Sequence, residues 1–293
     1  MTSDLPLCPP WDANPHPPRF SMPDGAYDTH VHVFGPESDF PYQSNRAYTP
    51  RDASVEQLFQ LHDVLGFKKV VLVQASAHGV DNRAILAGVA KSPERIRAIA
   101  AVGEDVTDAE LRRLHEGGVR GIRLNLVDKG GMPFSSLGAL RVIGERIKDM
   151  GWHIEFLVHV EADEEFRRLV PTLPVPVSVG HIGYTKAPAG IDHPGYRDFL
   201  AMLRDGHFWV KLTGPYRISA ADNFPYPDVT EKAHAVIAAA PDRCVWGSDW
   251  PHVIHFRGMP NDGDLLDALA DWCPDEEIRR RILVDNPARL YGF

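Results

Sequence analysis

Asp28-Thr29-His30-Val31-His32-Val33 places two imidazoles two residues apart in a short run that reads as a β-strand. Side chains alternate across a strand, so His30 and His32 point the same way. Two neutral imidazoles on one face can grip one divalent metal or one polarised substrate oxygen. On an exposed edge strand the same pair would be no more than two polar residues. The reading therefore turns on which other groups join it, and on which elements bring them there.

The run Ala26–Gly35 carries β-branched and aromatic residues at alternate places and stops at Gly-Pro, as a strand does. Seven further strand-like runs follow: Lys68–Ala77, Ile96–Val102, Val119–Leu126, His153–Val160, Val175–Gly183, Phe208–Gly214 and Cys244–Trp250. Several are almost continuously apolar, such as Val70-Val71-Leu72-Val73, which suits parallel strands buried on both faces. Helical patterns alternate with them. Val55–Leu65 has Leu58, Leu61 and Leu65 at helical spacing, and Thr107 with Glu110 three residues on reads as a helix start. This rhythm predicts an α/β fold, a (β/α)8 TIM barrel in a single domain over 25–293, preceded by an irregular proline-rich arm over 1–24. A doubly wound open sheet is the runner-up. No Gly-rich dinucleotide loop and no Walker loop supports it. Arg257–Asp262 and Ala220–Asp228 read as long surface loops.

Composition narrows the function classes. The 293 residues are 44% hydrophobic, which suits a large buried core, and the formal net charge is -9. That charge gives no footprint for nucleic acid, which calls for a basic face. Arg279-Arg280-Arg281 reads as the solvated face of a helix. Cys8, Cys244 and Cys273 are few and unpatterned and imply no disulfide framework. No stretch reads as a signal peptide or a membrane span, so a cytoplasmic enzyme acting on a small molecule is the expectation.

In such a barrel chemistry gathers at the C-terminal ends of the strands. His30 and His32 end the first strand, and Gln74 to His78 end the second. The fourth strand carries Arg120, Arg123 and Asn125, and the fifth carries Glu155 and His159. His181 ends the sixth, Lys211 and Thr213 with Tyr216-Arg217 the seventh, and Ser248-Asp249 before Trp-Pro-His252 the eighth. His181 alone could be a core histidine and Asp249 alone a turn residue. Four separate elements that each deliver a metal-ligating or proton-handling group to one end make the bland readings hard to hold together. His78 and His252 read as loop residues outside the first circle of contacts.

These residues resemble the amidohydrolase superfamily, in the branch known as amidohydrolase family 2. The resemblance rests on Asp-Thr-His30-Val-His32-Val-Phe, Val-Gly-His181-Ile-Gly, Trp-Gly-Ser-Asp249-Trp-Pro-His and the tail Asn286-Pro-Ala-Arg-Leu-Tyr-Gly-Phe293, and it spans about 24–293. Within the branch the chain looks closest to 2-pyrone-4,6-dicarboxylate lactonases and related lactone hydrolases, on Tyr48-Thr-Pro-Arg-Asp-Ala, Val-Gln74-Ala-Ser76-Ala-His-Gly-Val-Asp-Asn82 and Gly-Val-Arg-Gly-Ile-Arg123-Leu-Asn125. The resemblance implies that Tyr48, Ser76, Arg123, Asn125 and Arg217 hold substrate oxygens. It also marks departures. Tyr184 stands where this group often has an arginine, Lys129 where it has a second carboxylate-binding arginine, and His159 where it has a tyrosine. An ammonium does not reproduce a guanidinium fork, so these changes bear on the substrate more than on the reaction class.

The resemblance implies ring opening of an anionic lactone, a 2-pyrone-4,6-dicarboxylate or a muconolactone-like compound, in aromatic catabolism. Asp249 is the expected general base, which later protonates the leaving oxygen. His30, His32 and His181 then polarise the carbonyl. Two routes stay open: through one divalent ion, zinc or manganese, held by His30, His32, His181 and Asp249, or without metal, by direct hydrogen bonds. Alternatives are a metal-dependent decarboxylase or hydratase of the same branch, a sugar lactonase, or a non-catalytic binding barrel.

Overall fold

The computed structural model describes residues 5–186 and 188–293. The first four residues of the expected arm therefore lie outside the described residues. Eight strands form one sheet: β1 (Tyr27–Val31), β2 (Lys69–Val73), β3 (Ile96–Ala100), β4 (Val119–Asn125), β5 (His153–Leu157), β6 (Val177–Val179), β7 (Phe208–Leu212) and β8 (Cys244–Trp246). Each pairs in parallel with the next, in sequence order. The helices between them include α1 (Val55–Leu65), α2 (Arg83–Lys91), α3 (Asp108–Glu116), α4 (Leu140–Ile147), α5 (Glu164–Leu169), α6 (Pro194–Arg204), α7 (Pro227–Ala239) and α8 (Asp262–Trp272). The chain is a (β/α)8 barrel.

The apolar runs explain the layers. In β2, Val70 and Leu72 belong to the main core, while Val71 and Val73 join a second cluster with Ile99, Trp209, Val245 and Tyr291. A strand sorts alternate side chains to opposite faces, so one run serves both clusters. The helices start and stop where local chemistry dictates. Ser54 and Gln57 form a reciprocal capping box at the start of α1, and Gly66 ends it with φ 90, a left-handed turn that a side chain would strain. Thr107 accepts from Glu110 N to start α3.

The barrel closes between β1 and β8 by contacts beyond the regular ladder. Asp249 N donates to His30 O at 2.8 Å, His32 N to Trp250 O at 2.8 Å, and Thr29 Oγ1 to Trp246 O at 2.8 Å. Asp28 accepts from Ser248 N at 3.0 Å and Ser248 Oγ at 2.6 Å, and lies 3.3 Å from His62 Nε2 of α1. Inside the barrel, Lys211 of β7 pairs with Glu155 of β5 at 2.5 Å and donates to Thr29 O of β1 at 2.8 Å. Contacts among these non-neighbouring strands can run only through the interior.

Three expectations need correction. All eight strands are shorter than expected: β1 ends at Val31, β6 at Val179 and β8 at Trp246, so His32, His181 and Asp249 lie on the segments that follow. Gly183, at φ 77, takes a left-handed turn in the segment after β6. Arg279 is not part of a solvated run. It is buried, donates to Cys273 O at 2.7 Å and stacks over the Phe20 ring. Asp262 is not a surface-loop residue but the fully buried first residue of α8. The three cysteines are free and buried. Among the described residues no helix is long and apolar enough to cross a membrane.

Gly247 sits at the closing seam, where an added Cβ would lie 2.6 Å from His30 Cβ and 2.7 Å from His30 N. Gly247→Ala should push β1 away from β8 and cost roughly 1–3 kcal/mol, the usual range for overpacking. A urea midpoint equal to that of the parent protein would show that the seam is looser than described.

Candidate active site

His30, His32, His181 and Asp249 meet above the seam, each nearly or fully buried. Asp249 Oδ1 lies 3.7 Å from His30 Nε2 and 3.8 Å from His32 Nε2. Ligand atoms of His30, His181 and Asp249 all lie within 4.8 Å of one another. The backbone here is unusual. His181, Ile182, Tyr184, Asp249, His252 and Ile254 all have φ between 51 and 67. Left-handed backbone at side-chain-bearing residues costs on the order of 1–3 kcal/mol each and persists only where surrounding packing enforces it. Gly214 clears space for this turn, since a Cβ there would meet His181 Nδ1 at 2.6 Å.

The protonation pattern follows from the partners. His32 Nδ1 faces Val73 O at 2.7 Å, and His181 Nδ1 faces Thr213 O at 3.3 Å. A carbonyl oxygen only accepts, so each ring carries its hydrogen on Nδ1. Burial lowers both pKa values to about 3, so the rings stay neutral and turn an Nε2 lone pair into the site. Burial also lowers His30, with the Lys211 ammonium adding to the effect. Its Nδ1 lies 3.3 Å from Lys211 Nζ and 3.4 Å from Glu155 Oε1. Glu155, whose facing the strand parity left open, thus points into the barrel.

Asp249 divides its oxygens. Oδ2 accepts from Arg217 Nε and, at 2.6 Å, from Tyr216 Oη. Oδ1 and His30 Nε2 have no hydrogen-bond partner among the described residues. Burial alone would raise the carboxyl, but the Arg217 guanidinium outweighs it and holds the carboxyl well below the usual carboxylate range. What converges on one point is therefore a set of bare acceptors: a carboxylate oxygen and imidazole lone pairs.

Two connected spaces adjoin this point. The inner one has a volume of ≈ 20 Å³ and is lined by His32, Tyr48, His181, Arg217 and Asp249 among others. That is room for about one water. The outer one, ≈ 170 Å³, is lined by Gln43, Asn45, Gln74 and Gly131, and shares Ser76, Arg123 and Asn125 with the inner one. Arg123 donates to Gln74 O at 2.8 Å, and its Nε is unpaired. Asn125 Nδ2 donates to Ser76 Oγ at 3.0 Å, which leaves the serine hydroxyl hydrogen for another acceptor.

Of the expected substrate contacts, Tyr48, Ser76, Arg123, Asn125 and Arg217 line these spaces. Tyr184 stacks edge-on at 5.6 Å from His181. His159 is one step out, its Nδ1 on Tyr184 O at 2.9 Å. Lys129 is exposed and lines neither space. The ammonium nearer this rim is Lys186, which donates to Arg217 O at 2.7 Å and lies over the Tyr184 ring. Sequence reasoning missed Asp128, which lines the inner space and accepts from Asn125 at 2.9 Å. It also gave no role to Tyr216 and set His252 aside as a loop residue. Its position three residues after Asp249 was the available signal.

The sequence model of the amidohydrolase family matches residues 27–293. A 2-pyrone-4,6-dicarboxylate hydrolase from Comamonas testosteroni is 40% identical over 291 residues, covering 96% of this chain and 94% of that protein. A 4-sulfomuconolactone hydrolase from Hydrogenophaga intermedia is 38% identical over 280 residues, covering 94% of this chain and 92% of that one. A crystal structure from Acinetobacter baumannii, described as a probable 2-pyrone-4,6-dicarboxylic acid hydrolase with citric acid bound, superposes with a TM-score of 0.79 at 28% identity. It covers 92% of this chain and 100% of that one.

The buried neutral rings set a pH dependence. Burial lowers His32, His153 and His181 to about 3, against 6.5 for a free imidazole. As the pH falls below that free value, the unfolded chain gains protons that the folded chain refuses. Stability is then lost progressively between the two values, at about 1.4 kcal/mol per pH unit for each ring. The urea midpoint of metal-free protein should be clearly lower at pH 5 than at pH 7.5. Equal midpoints would mean that these rings are not buried neutral.

Proposed function

The chain belongs to the amidohydrolase family, and from that premise we propose that it is a hydrolase that opens the ring of an anionic lactone in aromatic catabolism. The observation that carries this reading is the ionised Asp249 with one oxygen bare, in a space sized for one water, beside a larger cavity flanked by Arg123. The lactone body would lie in the larger cavity. Its carbonyl would reach the shared wall of Ser76, Arg123 and Asn125. The relatives named above act on pyrone and sulfomuconolactone substrates, which supports an anionic ring.

Asp249 would take a proton from the water through Oδ1 and return it to the leaving oxygen. Arg123 would hold a substrate carboxylate in a charge-assisted pair, with the Ser76 hydroxyl donating to a neighbouring oxygen. Arg217 would serve a second anionic group, but it first has to loosen its grip on Asp249 and on Val253 O, which it contacts at 2.9 Å. Lys129 stays in this scheme only as a charge outside the site. Tyr184 and His159 would pack against the substrate's far edge. Residues 1–24 read as an arm over the barrel of 25–293. Supporting this, Trp11 packs edge-on to Trp250 at 4.8 Å, and Cys8 Sγ accepts from Ile254 N at 3.4 Å.

The residues also fit one divalent ion. Histidines whose Nδ1 hydrogens are tied to backbone carbonyls, with lone pairs turned toward a carboxylate oxygen, match the donor set and outer contacts of zinc sites. His30, His181 and Asp249 would hold the ion, with His32 at its edge, and manganese suits the set as well as zinc. Such an ion, when bound, supplies Lewis acidity and lowers the pKa of water. The direct-donor route is weaker for His32 and His181, because neither turns a hydrogen into the site.

Purified enzyme given 2-pyrone-4,6-dicarboxylate, 4-sulfomuconolactone and a sugar lactone should release acid in a pH-indicator assay with an anionic lactone. Asp249→Asn should cut turnover by about 100-fold or more. Full turnover by that variant would remove Asp249 from the chemistry, and carbon dioxide release in place of ring opening would make the enzyme a decarboxylase. Elemental analysis should find about one zinc or manganese per chain, reduced in His181→Ala. A metal-free preparation with full activity would eliminate the ion.

A further inference from the structure

Three buried polar side chains stand behind Asp249 with no part in the scheme above. Tyr216 Oη lies 2.6 Å from Asp249 Oδ2 and 2.9 Å from His252 Nδ1. His252 Nε2 lies 3.2 Å from Asp262 Oδ1. Tyr216 is 1% exposed, and His252 and Asp262 are 0% exposed. The three come from different places: the turn after β7, the turn after β8, and the first residue of α8.

Hydrogen accounting fixes the direction of this chain. A phenol has one hydrogen. A carboxylate oxygen 2.6 Å from a phenol oxygen needs that hydrogen between them, so Tyr216 donates to Asp249. The Tyr216 oxygen must then accept from His252, whose ring carries a hydrogen on Nδ1. On the far side, neither Asp262 oxygen nor His252 Nε2 has a hydrogen-bond partner among the described residues. Nε2 and Asp262 Oδ1 stand 3.2 Å apart, a close approach rather than a hydrogen bond. The backbone supports the arrangement. His252 N donates to Asp249 O at 2.8 Å, and His252 is held at φ 60, where a side chain is disfavoured.

We propose that Tyr216 and His252 are positioning residues, a hydrogen-bonded brace that occupies Asp249 Oδ2 and so reserves Oδ1 for the reacting water, with Asp262 set against the far side of the His252 ring. This rests on the reading of Asp249 as the carboxylate that takes the water's proton. Arg217 also reaches Oδ2, but it is the residue that has to move when an anionic substrate enters. The brace keeps the carboxylate from rotating at that moment. It ties the proton-handling group to the turn after β8, through side chains that stand behind it.

The test separates positioning from structural support. Tyr216→Phe keeps the ring and removes only the hydroxyl. It should lower kcat roughly 10- to 100-fold, as misplacement of a reacting group does, with KM little changed. His252→Leu should fall by a similar factor. His252→Asn, whose amide can donate from near the Nδ1 position, should recover most of that loss. Unchanged thermal unfolding of Tyr216→Phe shows that the fold is intact. In the wild-type protein, nitrogen-15 spectra of labelled histidine should show a hydrogen on Nδ1 of His252. A bare Nδ1, or wild-type kcat in Tyr216→Phe, overturns the brace. The spectrum does not depend on turnover, so failure of the brace is distinguishable from failure of Asp249 as the base, which the Asp249→Asn assay reads by itself.

Discussion

Hydrogen bonds across the β1–β8 seam determine nearly everything at the mouth of this barrel. His30 O accepts from Asp249 N, and His32 N donates to Trp250 O. The residues that carry the imidazoles are thus bonded through their own backbones to the segment that carries the carboxylate. Asp28 strengthens the join by accepting from Ser248, 220 positions away in sequence. Strand hydrogen bonds allow little play, so the distances between His30, His32 and Asp249 inherit the rigidity of the closure. Groups held on rigid backbone need less reorganisation when charge develops. Below the seam, the Lys211–Glu155 pair fills the barrel interior and reaches His30 from the inside. Burial lowers the Lys211 ammonium's pKa, and Glu155 opposes that effect. A buried pair of this kind adds little net stability, but removal of either partner would leave a charge stranded.

Charge in the site is arranged by division. Asp249 gives one oxygen to Arg217 and Tyr216 and leaves the other bare. Burial keeps His32 and His181 neutral, and backbone carbonyls decide which of their nitrogens faces inward. In water the same groups would sample many tautomers and rotamers. Here each has one partner outside the reacting space and one free atom inside it. A centre of this kind is ready for a cation or a polarised water. It is poorly suited to grip an oxyanion through His32 or His181, which have no hydrogen to offer.

The substrate side follows a different logic. Ser76, Arg123 and Asn125 stand between a space for about one water and a space for a ring, and their hydrogen bonds to each other and to Gln74 O hold them in place. Most of the outer wall is neutral and polar, from Gln43, Asn45 and Gln74. Arg217 is the second guanidinium, but it is spent on Asp249. Asp128 adds a negative charge at the rim. In the proposed reading, substrate charge would meet one guanidinium with a free Nε at Arg123 and one that has to be released.

Much of this was legible from residue order alone. The alternation of Val70-Val71-Leu72-Val73 and similar runs with helical spacings specified eight β-α units, because burial on two faces needs continuous apolar sequence. The spacing of His30 and His32 placed both on one side, and the ends of the sixth and eighth runs held His181 and Asp249. What sequence could not supply was anything set by packing between distant segments. Strand parity left Glu155 undirected; only contacts with Lys211 and His30 place it inside the barrel. Lys129 matched by position but points to solvent, because a loop's side chains are oriented by tertiary contacts that its residue order does not encode. Tyr216 stood without a role beside Arg217, His252 read as a loop imidazole and Asp262 as the end of a surface loop, and only the folded chain sets them in line behind Asp249. Local pattern determined the elements and most of the reacting groups; tertiary structure decided their hydrogens and their charges, since tautomer and pKa depend on partners that only closure of the barrel brings together.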